Sequence, residues 1–286
     1  MTGAGGMVGQ ALDQYCQSAG DEVSSFDHRA LDIQDADLVR TTVLAAKPDA
    51  VINCAAWTDV DGCELDPARA HAANVTGPEN LAKASRVAGA SFVTISTDYV
   101  FDGQKEGFYT QRDDPNPQSV YAQSKLEGER RSQLAYARTI VARTGFVFGP
   151  GGRNFLSTIL DRASGGAVLK AIGNAYGTPT YAKHLAARLR ELAQLDLPGI
   201  FHVVNAGNGV SYEEFARVAL NTGGYESTKI ETVDGDSLNR PAPRPRNSRL
   251  KCLLSEAVGL PALPFWERAL GEFVSSYYPV DSSQAR

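Results

Sequence analysis

The first half of the chain alternates between short apolar bursts and longer mixed stretches. The bursts lie at 22–26, 50–54, 91–95 and 139–143, and read as strands; the stretches at 7–19, 35–46, 67–88 and from Tyr121 onward read as helices. Strands that alternate with helices in this way predict an α/β fold built on a doubly wound parallel sheet. Beyond residue 150 the pattern loosens. Helices are expected near 154–163, 182–194, 212–220 and 265–277, with short strands at 200–204 and 229–233. The division expected is one unit over 1–150, its sheet completed by parts of 171–205, and a smaller α+β region over 151–286.

One element of the pattern is missing. The chain opens directly on Gly3, Gly6 and Gly9, a GxxGxxG loop that leads into the first helix. Such a loop lets backbone approach a pyrophosphate at the positive end of the following helix; a glycine-rich turn that binds no nucleotide is the alternative. A dinucleotide fold places about five apolar residues before the loop, and here Met1 stands alone in that role. The first strand is therefore expected to be truncated, with the recorded sequence starting a few residues late. A chain lacking that strand is expected to be poorly soluble or to bind a dinucleotide weakly.

Polar residues cluster where the strands end. Asp27 closes the 22–26 burst, where an acid would grip a ribose hydroxyl, and Arg29 beside it could favour a 2′-phosphate. Leu31, Asp32 and Ile33 follow as a loop that could flank an adenine. Ala56, Trp57 and Thr58 follow the 50–54 strand, where small residues leave room for a ligand or pack a strand closely on a helix. Ile95 ends the next burst, and Ser96, Thr97, Asp98 and Tyr99 come straight after it. Thr97 can donate a hydrogen bond to a carbonyl oxygen, or simply cap the strand. Tyr121 and Lys125 stand four residues apart after a proline-broken loop, so on a helix they share one face. A lysine beside a tyrosine stabilises the phenolate left after proton donation; a surface pair at helical spacing is the bland reading. The run at 240–246 holds Arg240, Arg244 and Arg246 among prolines, and reads as a linker or as a loop offering guanidinium groups to phosphate.

Composition narrows the partners. The 286 residues are 43% hydrophobic and 21% charged with a net charge of −5, ordinary globular values with no electrostatic pull toward nucleic acid or anionic membrane. Cys16, Cys54, Cys63 and Cys252 lack CxxC spacing and the four histidines are dispersed, so neither a metal site nor a disulfide framework is read. No signal peptide, lipidation motif or long apolar run appears, which makes the cytoplasm the expected compartment.

Taken together, these motifs resemble the extended short-chain dehydrogenase/reductases, and within them the dTDP-4-dehydrorhamnose reductases. The resemblance runs through Thr2 to Gly9, Leu31 to Ile33, Val51 to Asp61, Asn74 to Asn80, Ser96 to Gly103, Tyr121-x-x-x-Lys125, Arg143 and Thr144, Asn154 and Phe155, Gly177 to Thr180, and Arg244 to Ser248. It implies a dinucleotide-binding Rossmann domain at 1–150 and a mainly substrate-binding region at 151–286. It implies reduction by NADPH or NADH of the C4 ketone of dTDP-4-dehydro-L-rhamnose, with a homodimer as one open assembly. By the resemblance, Gly6, Met7 and Val8 contact the pyrophosphate, with Asp27, Asp32 and Ile33 at the adenosine end. Ala56, Trp57 and Thr58 line the nicotinamide side. Thr97, Tyr121 and Lys125 form the catalytic set, and Asp98 touches substrate. Phe146 stands where the family usually packs a tryptophan on the sugar. The rivals are a 4,6-dehydratase or 4-epimerase on the same fold, and a cofactor-binding regulatory subunit resembling the methionine adenosyltransferase β subunit. Dehydratases of this type place an Asp-Glu pair after the threonine, whereas Asp98 here is followed by Tyr99.

Overall fold

The computed structural model describes residues 1–278 except Arg153 and Ala167. Four parallel strands form the central sheet in the order Ala50–Asn53, Ser91–Thr97, Thr139–Thr144 and Gly199–His202. The 91–97 strand is buried on both faces, and consecutive residues feed opposite layers. Val93 joins Leu12, Ile140, Leu185, Leu189 and Phe201 under helices Met7–Ser18 and Ala182–Leu195. Phe92 joins Val39, Val43 and Leu81 under helices Ala36–Ala46 and Gly77–Ala88.

Local chemistry fixes the helix starts. Asp35 caps the second helix by accepting from the amides of Asp37 and Leu38, and Ser119 accepts from Ala122 at the head of the Val120–Ala135 helix. Two features were not expected. A short helix, Val60–Leu65, capped by Asp59, precedes the 67–88 stretch. That stretch is not one α-helix: a π-turn over Ala72–Thr76 separates Pro67–His71 from Gly77–Ala88. Closer to the carboxyl terminus, Phe148, Leu156, Phe215, Trp266 and Phe273 make a separate core.

The strand expected at 22–26 does not form a ladder. Only Phe26 is bridged, in parallel to Thr2, which itself bridges Asn53 on its other side. The Phe26 amide donates to Met1 O at 2.9 Å, and the Thr2 amide to Ile52 O at 3.1 Å. Among the described residues no strand pairs with 22–25, although Ser24 O accepts from the Met1 ammonium at 2.6 Å. A cavity of about 680 Å3, lined by Glu22, Val23 and Ser24 on one side and Ala50, Val51 and Ile52 on the other, lies there instead. Thr2, which bridges both neighbours in the central position, is also tied in by its side chain. Thr2 Oγ1 donates to Asn53 Oδ1 at 2.7 Å, and Asn53 Nδ2 donates to Thr94 Oγ1 at 3.0 Å. This polar line crosses the middle of the sheet just below the glycine loop.

One ion pair locks the Val120–Ala135 helix to the sheet. Arg143 donates to both carboxylate oxygens of Glu129, at 2.9 and 2.6 Å, and both side chains are fully buried. Removing one member of such a pair leaves an uncompensated charge in the interior. Glu129→Ala is expected to lower the unfolding free energy by about 3–5 kcal/mol, and a Glu129→Leu/Arg143→Met double variant to lose less. Denaturant midpoints check this; a Glu129→Ala protein as stable as the parent would show that the pair carries no such role.

Candidate active site

The glycine loop is shaped by close backbone approach. Gly3 has φ +73°, and an added Cβ would come within 2.5 Å of the Cys54–Ala55 backbone. A Cβ at Gly9 would come within 2.1 Å of Gly3 O, so the helix can start only this near the loop with glycine there. Gly6, the N-cap of helix Met7–Ser18, supplies no side chain, so that helix's first amides have no side-chain cap. An open, uncapped helix start beside a loop this tight fits a pyrophosphate. Gln10 Nε2 ties the loop to the opposite wall, donating to Gly5 O at 2.9 Å and Gly151 O at 3.0 Å.

The residues read as flanking the adenosine lie near this loop in two different states. Asp27 is exposed, with its Oδ1 accepting from the amides of Arg29 and Ala30, both at 2.9 Å. Those bonds, the Ala30 bond foremost, hold its carboxyl below the usual range. Asp32 accepts from the Gln34 amide at 3.0 Å. The Ile33 side chain is instead a core residue packed onto Gly77, so this position offers a ligand backbone rather than side chain.

Three further expected residues converge at the carboxyl end of the 91–97 strand. Thr97 is the strand's last residue, and its Oγ1 donates to Asp98 Oδ1 at 3.1 Å. Tyr121 lies in the first turn of its helix with its hydroxyl beside Thr97. Lys125, 5% exposed, donates from Nζ to Ile95 O at 2.8 Å. Burial pushes the Tyr121 hydroxyl above its ordinary value, with Thr97 opposing and Asp98 adding to the rise. Burial also pulls the Lys125 ammonium down to about 8, against the opposing charge of Glu129. It lifts the Asp98 carboxyl to about 6, while hydrogen bonds from Ser248 and Thr97 pull the other way. Gly145 makes room for that carboxyl, since a Cβ there would come within 2.3 Å of it.

Several residues that hold this arrangement escaped the sequence reading. Asn74, in the π-turn, accepts from the Trp57 amide at 2.9 Å and donates to Trp57 O and Ser124 Oγ, both at 3.0 Å. One side chain thereby joins the Ala56–Trp57–Thr58 segment to the Tyr121 helix. Trp57 carries the Arg69 guanidinium over its ring at 4.4 Å, Ala56 is half-buried and Thr58 is exposed. A second cavity, about 770 Å3, opens beside Tyr99 and Phe146 and is rimmed by Arg240, Arg244 and Arg246. Arg244 is fixed by a two-pronged bond to Asp61, at 2.5 and 2.8 Å, which brings the 240–246 run over the site. No motif spacing could reveal that pair, because 183 residues separate its members.

Against known proteins, the model of the RmlD substrate binding domain family matches residues 1–278. A dTDP-4-dehydrorhamnose reductase from Mycolicibacterium smegmatis is 37% identical over 279 residues, covering 96% of this chain and 84% of that protein. The chain belongs to this family. The crystal structure of a dTDP-4-dehydrorhamnose reductase from Clostridium acetobutylicum is similar with a TM-score of 0.92 at 33% identity, covering 96% of this chain and 97% of that one. A Bacillus anthracis reductase of the same name, in complex with NADP, has a TM-score of 0.92 at 30% identity, covering 96% and 98%. Membership places the doubly wound fold and the use of a nicotinamide dinucleotide on firm ground. It gives the glycine loop a measurable consequence. Gly9→Ala, which overpacks the loop, is expected to weaken NADPH binding about tenfold or more, as read by isothermal titration. An unchanged dissociation constant would mean that the loop does not face the cofactor.

Proposed function

We propose that this protein reduces the C4 ketone of dTDP-4-dehydro-L-rhamnose to give dTDP-L-rhamnose, using NADPH or NADH. The observation that carries this reading is the meeting of Thr97, Tyr121 and Lys125 at one strand end, beside a cavity rimmed by arginines. The family name of the relatives supports it. When bound at the glycine loop, the reduced nicotinamide supplies the hydride. In this reading Gly6, Met7 and Val8 hold its pyrophosphate, Asp27 and Asp32 its adenosine end with the Ile33 backbone, and Ala56, Trp57 and Thr58 its nicotinamide side.

The remaining work falls to side chains. Thr97 donates a hydrogen bond to the ketone oxygen as negative charge grows on it. Tyr121 then gives that oxygen its proton. Reduction needs the phenol protonated beforehand, as a phenol is at neutral pH, and burial reinforces that state. Lys125 has three donors and one is taken by Ile95 O, leaving others for the nicotinamide ribose. Its charge favours the phenolate formed on donation. Asp98, bonded by the Thr97 hydroxyl, accepts from a sugar hydroxyl. Phe146 packs on the deoxysugar, and the cavity beyond it takes the nucleoside diphosphate, with Arg240 and Arg246 at its rim. Both reactants are charged and cross membranes poorly, which supports the cytoplasm as the compartment of this reaction.

NADPH oxidation followed at 340 nm, with and without dTDP-4-dehydro-L-rhamnose, tests the reading, and no substrate-dependent oxidation would defeat it. Tyr121→Phe is expected to leave NADPH binding intact and to lower turnover by about 10²–10⁴-fold, the usual worth of a positioned acid; near-parental turnover would remove Tyr121 from the mechanism. The functional form of Lys125 is the ammonium, present below its pKa. The ratio kcat/KM is therefore expected to hold through neutral pH and fall as pH rises through about 8. A profile flat to well above that value would exclude Lys125 titration from catalysis.

A further inference from the structure

Phe146 has a backbone conformation that an aromatic residue rarely adopts. Its φ is +45°, in the left-handed region. Two neighbours fix the ring that results. Gly177 lies beneath it, where an added Cβ would come within 2.3 Å of the ring. Tyr212 stacks on it with centroids 4.1 Å apart and planes inclined by 23°. Both neighbours come from one unit, because Tyr176–Gly177 pairs antiparallel with Val210–Ser211 and Tyr212 follows directly as the first residue of helix Tyr212–Thr222. Phe155 braces Tyr212 edge-on at 4.9 Å.

The other end of Tyr212 points toward the chemistry. Its hydroxyl lies against that of Tyr99. The Tyr99 ring in turn meets the Tyr121 ring edge-on, centroids 6.2 Å apart at 82°. Four aromatic residues thus run without a gap from the ring beside the sugar cavity to the proton donor, and Tyr212 is the link that touches both halves.

We infer that Tyr212 is a positioning residue for the ketone reduction, with two separable parts: its ring holds Phe146 as the platform for the sugar, and its hydroxyl holds Tyr99 so that Tyr121 is aimed at the substrate oxygen. This rests on the function proposed above. A loose platform weakens substrate binding and leaves the chemical step alone. A loose Tyr121 misdirects proton transfer, where small displacements are costly, and leaves binding alone. A residue that merely filled space would show neither selectivity.

The test is steady-state kinetics with NADPH and dTDP-4-dehydro-L-rhamnose on the full chain and four variants, with NADPH affinity as the check on folding. Tyr212→Phe keeps the stack and loses the hydroxyl; kcat is expected to fall about tenfold with KM within about twofold. Tyr212→Leu loses both, and KM is expected to rise about tenfold in addition. Tyr99→Phe should reproduce the kcat loss of Tyr212→Phe, and the double variant should be no worse than either, as expected of two groups acting as one unit. Parental kinetics in Tyr212→Phe, additive losses in the double variant, or an unchanged KM in a Tyr212→Leu protein that binds NADPH would each overturn the proposal. Should Tyr212→Leu fail to bind NADPH, the three hydroxyl-deleting variants decide the question alone. A wild-type protein that leaves NADPH unoxidised overturns the functional reading as well, an outcome visible before any variant is compared.

Discussion

A lysine ammonium buried to 5% exposure is the constraint around which this structure is arranged. Taking such a charge out of water is costly, and the cost shows in its pKa, drawn down to about 8. It stays charged at neutral pH because the Ile95 carbonyl accepts from it and the buried Glu129 carboxylate sits one helical turn further along. Glu129 is itself tolerable only because Arg143, on the neighbouring strand, bonds both its oxygens. The helix bearing Tyr121 and Lys125 is thus pinned to two adjacent strands by charge as well as by packing.

The same helix must come unusually near its neighbour, and here glycine and a helix defect act together. A Cβ at Gly128 would come within 2.0 Å of Asn74 O, so the helix can lie against the π-turn only with glycine at that place. The π-turn turns Asn74 toward both Trp57 and Ser124. The Ala56–Trp57–Thr58 segment and the helix of Tyr121 therefore share a single side chain as their spacer. Distances inside the site depend on it, which matters for a reaction that rewards alignment.

Much of this was legible in the chain. Strand bursts separated by helices sufficed for the sheet, the polar residues at one strand's end marked Thr97 and Asp98, helical spacing paired Tyr121 with Lys125, and the family resemblance joined the two. What could not be read falls into two kinds. Some contacts join residues too distant in sequence for any spacing rule, such as Asp61 with Arg244, or Phe146 with Tyr212. Others were disguised. Glu129 belongs to a run of charged residues that looks like a solvated helix face, yet it is buried. The 22–26 segment has strand composition but pairs only through Phe26, because a ladder is made by the partner as well as by the sequence. The side chain of Ile33, read as flanking an adenine, packs into the core beside Gly77.

The central claim is that Thr97, Tyr121 and Lys125 serve the reduction of one carbonyl carbon in a nucleotide-linked deoxysugar. The most direct measurement is isotope transfer from NADPH deuterated at the nicotinamide C4, with dTDP-4-dehydro-L-rhamnose as acceptor and NMR of the sugar product. The account predicts dTDP-L-rhamnose carrying deuterium at sugar C4 alone. Absence of the label from that carbon, with NADPH consumed, or no consumption at all by a correctly folded protein, would contradict it.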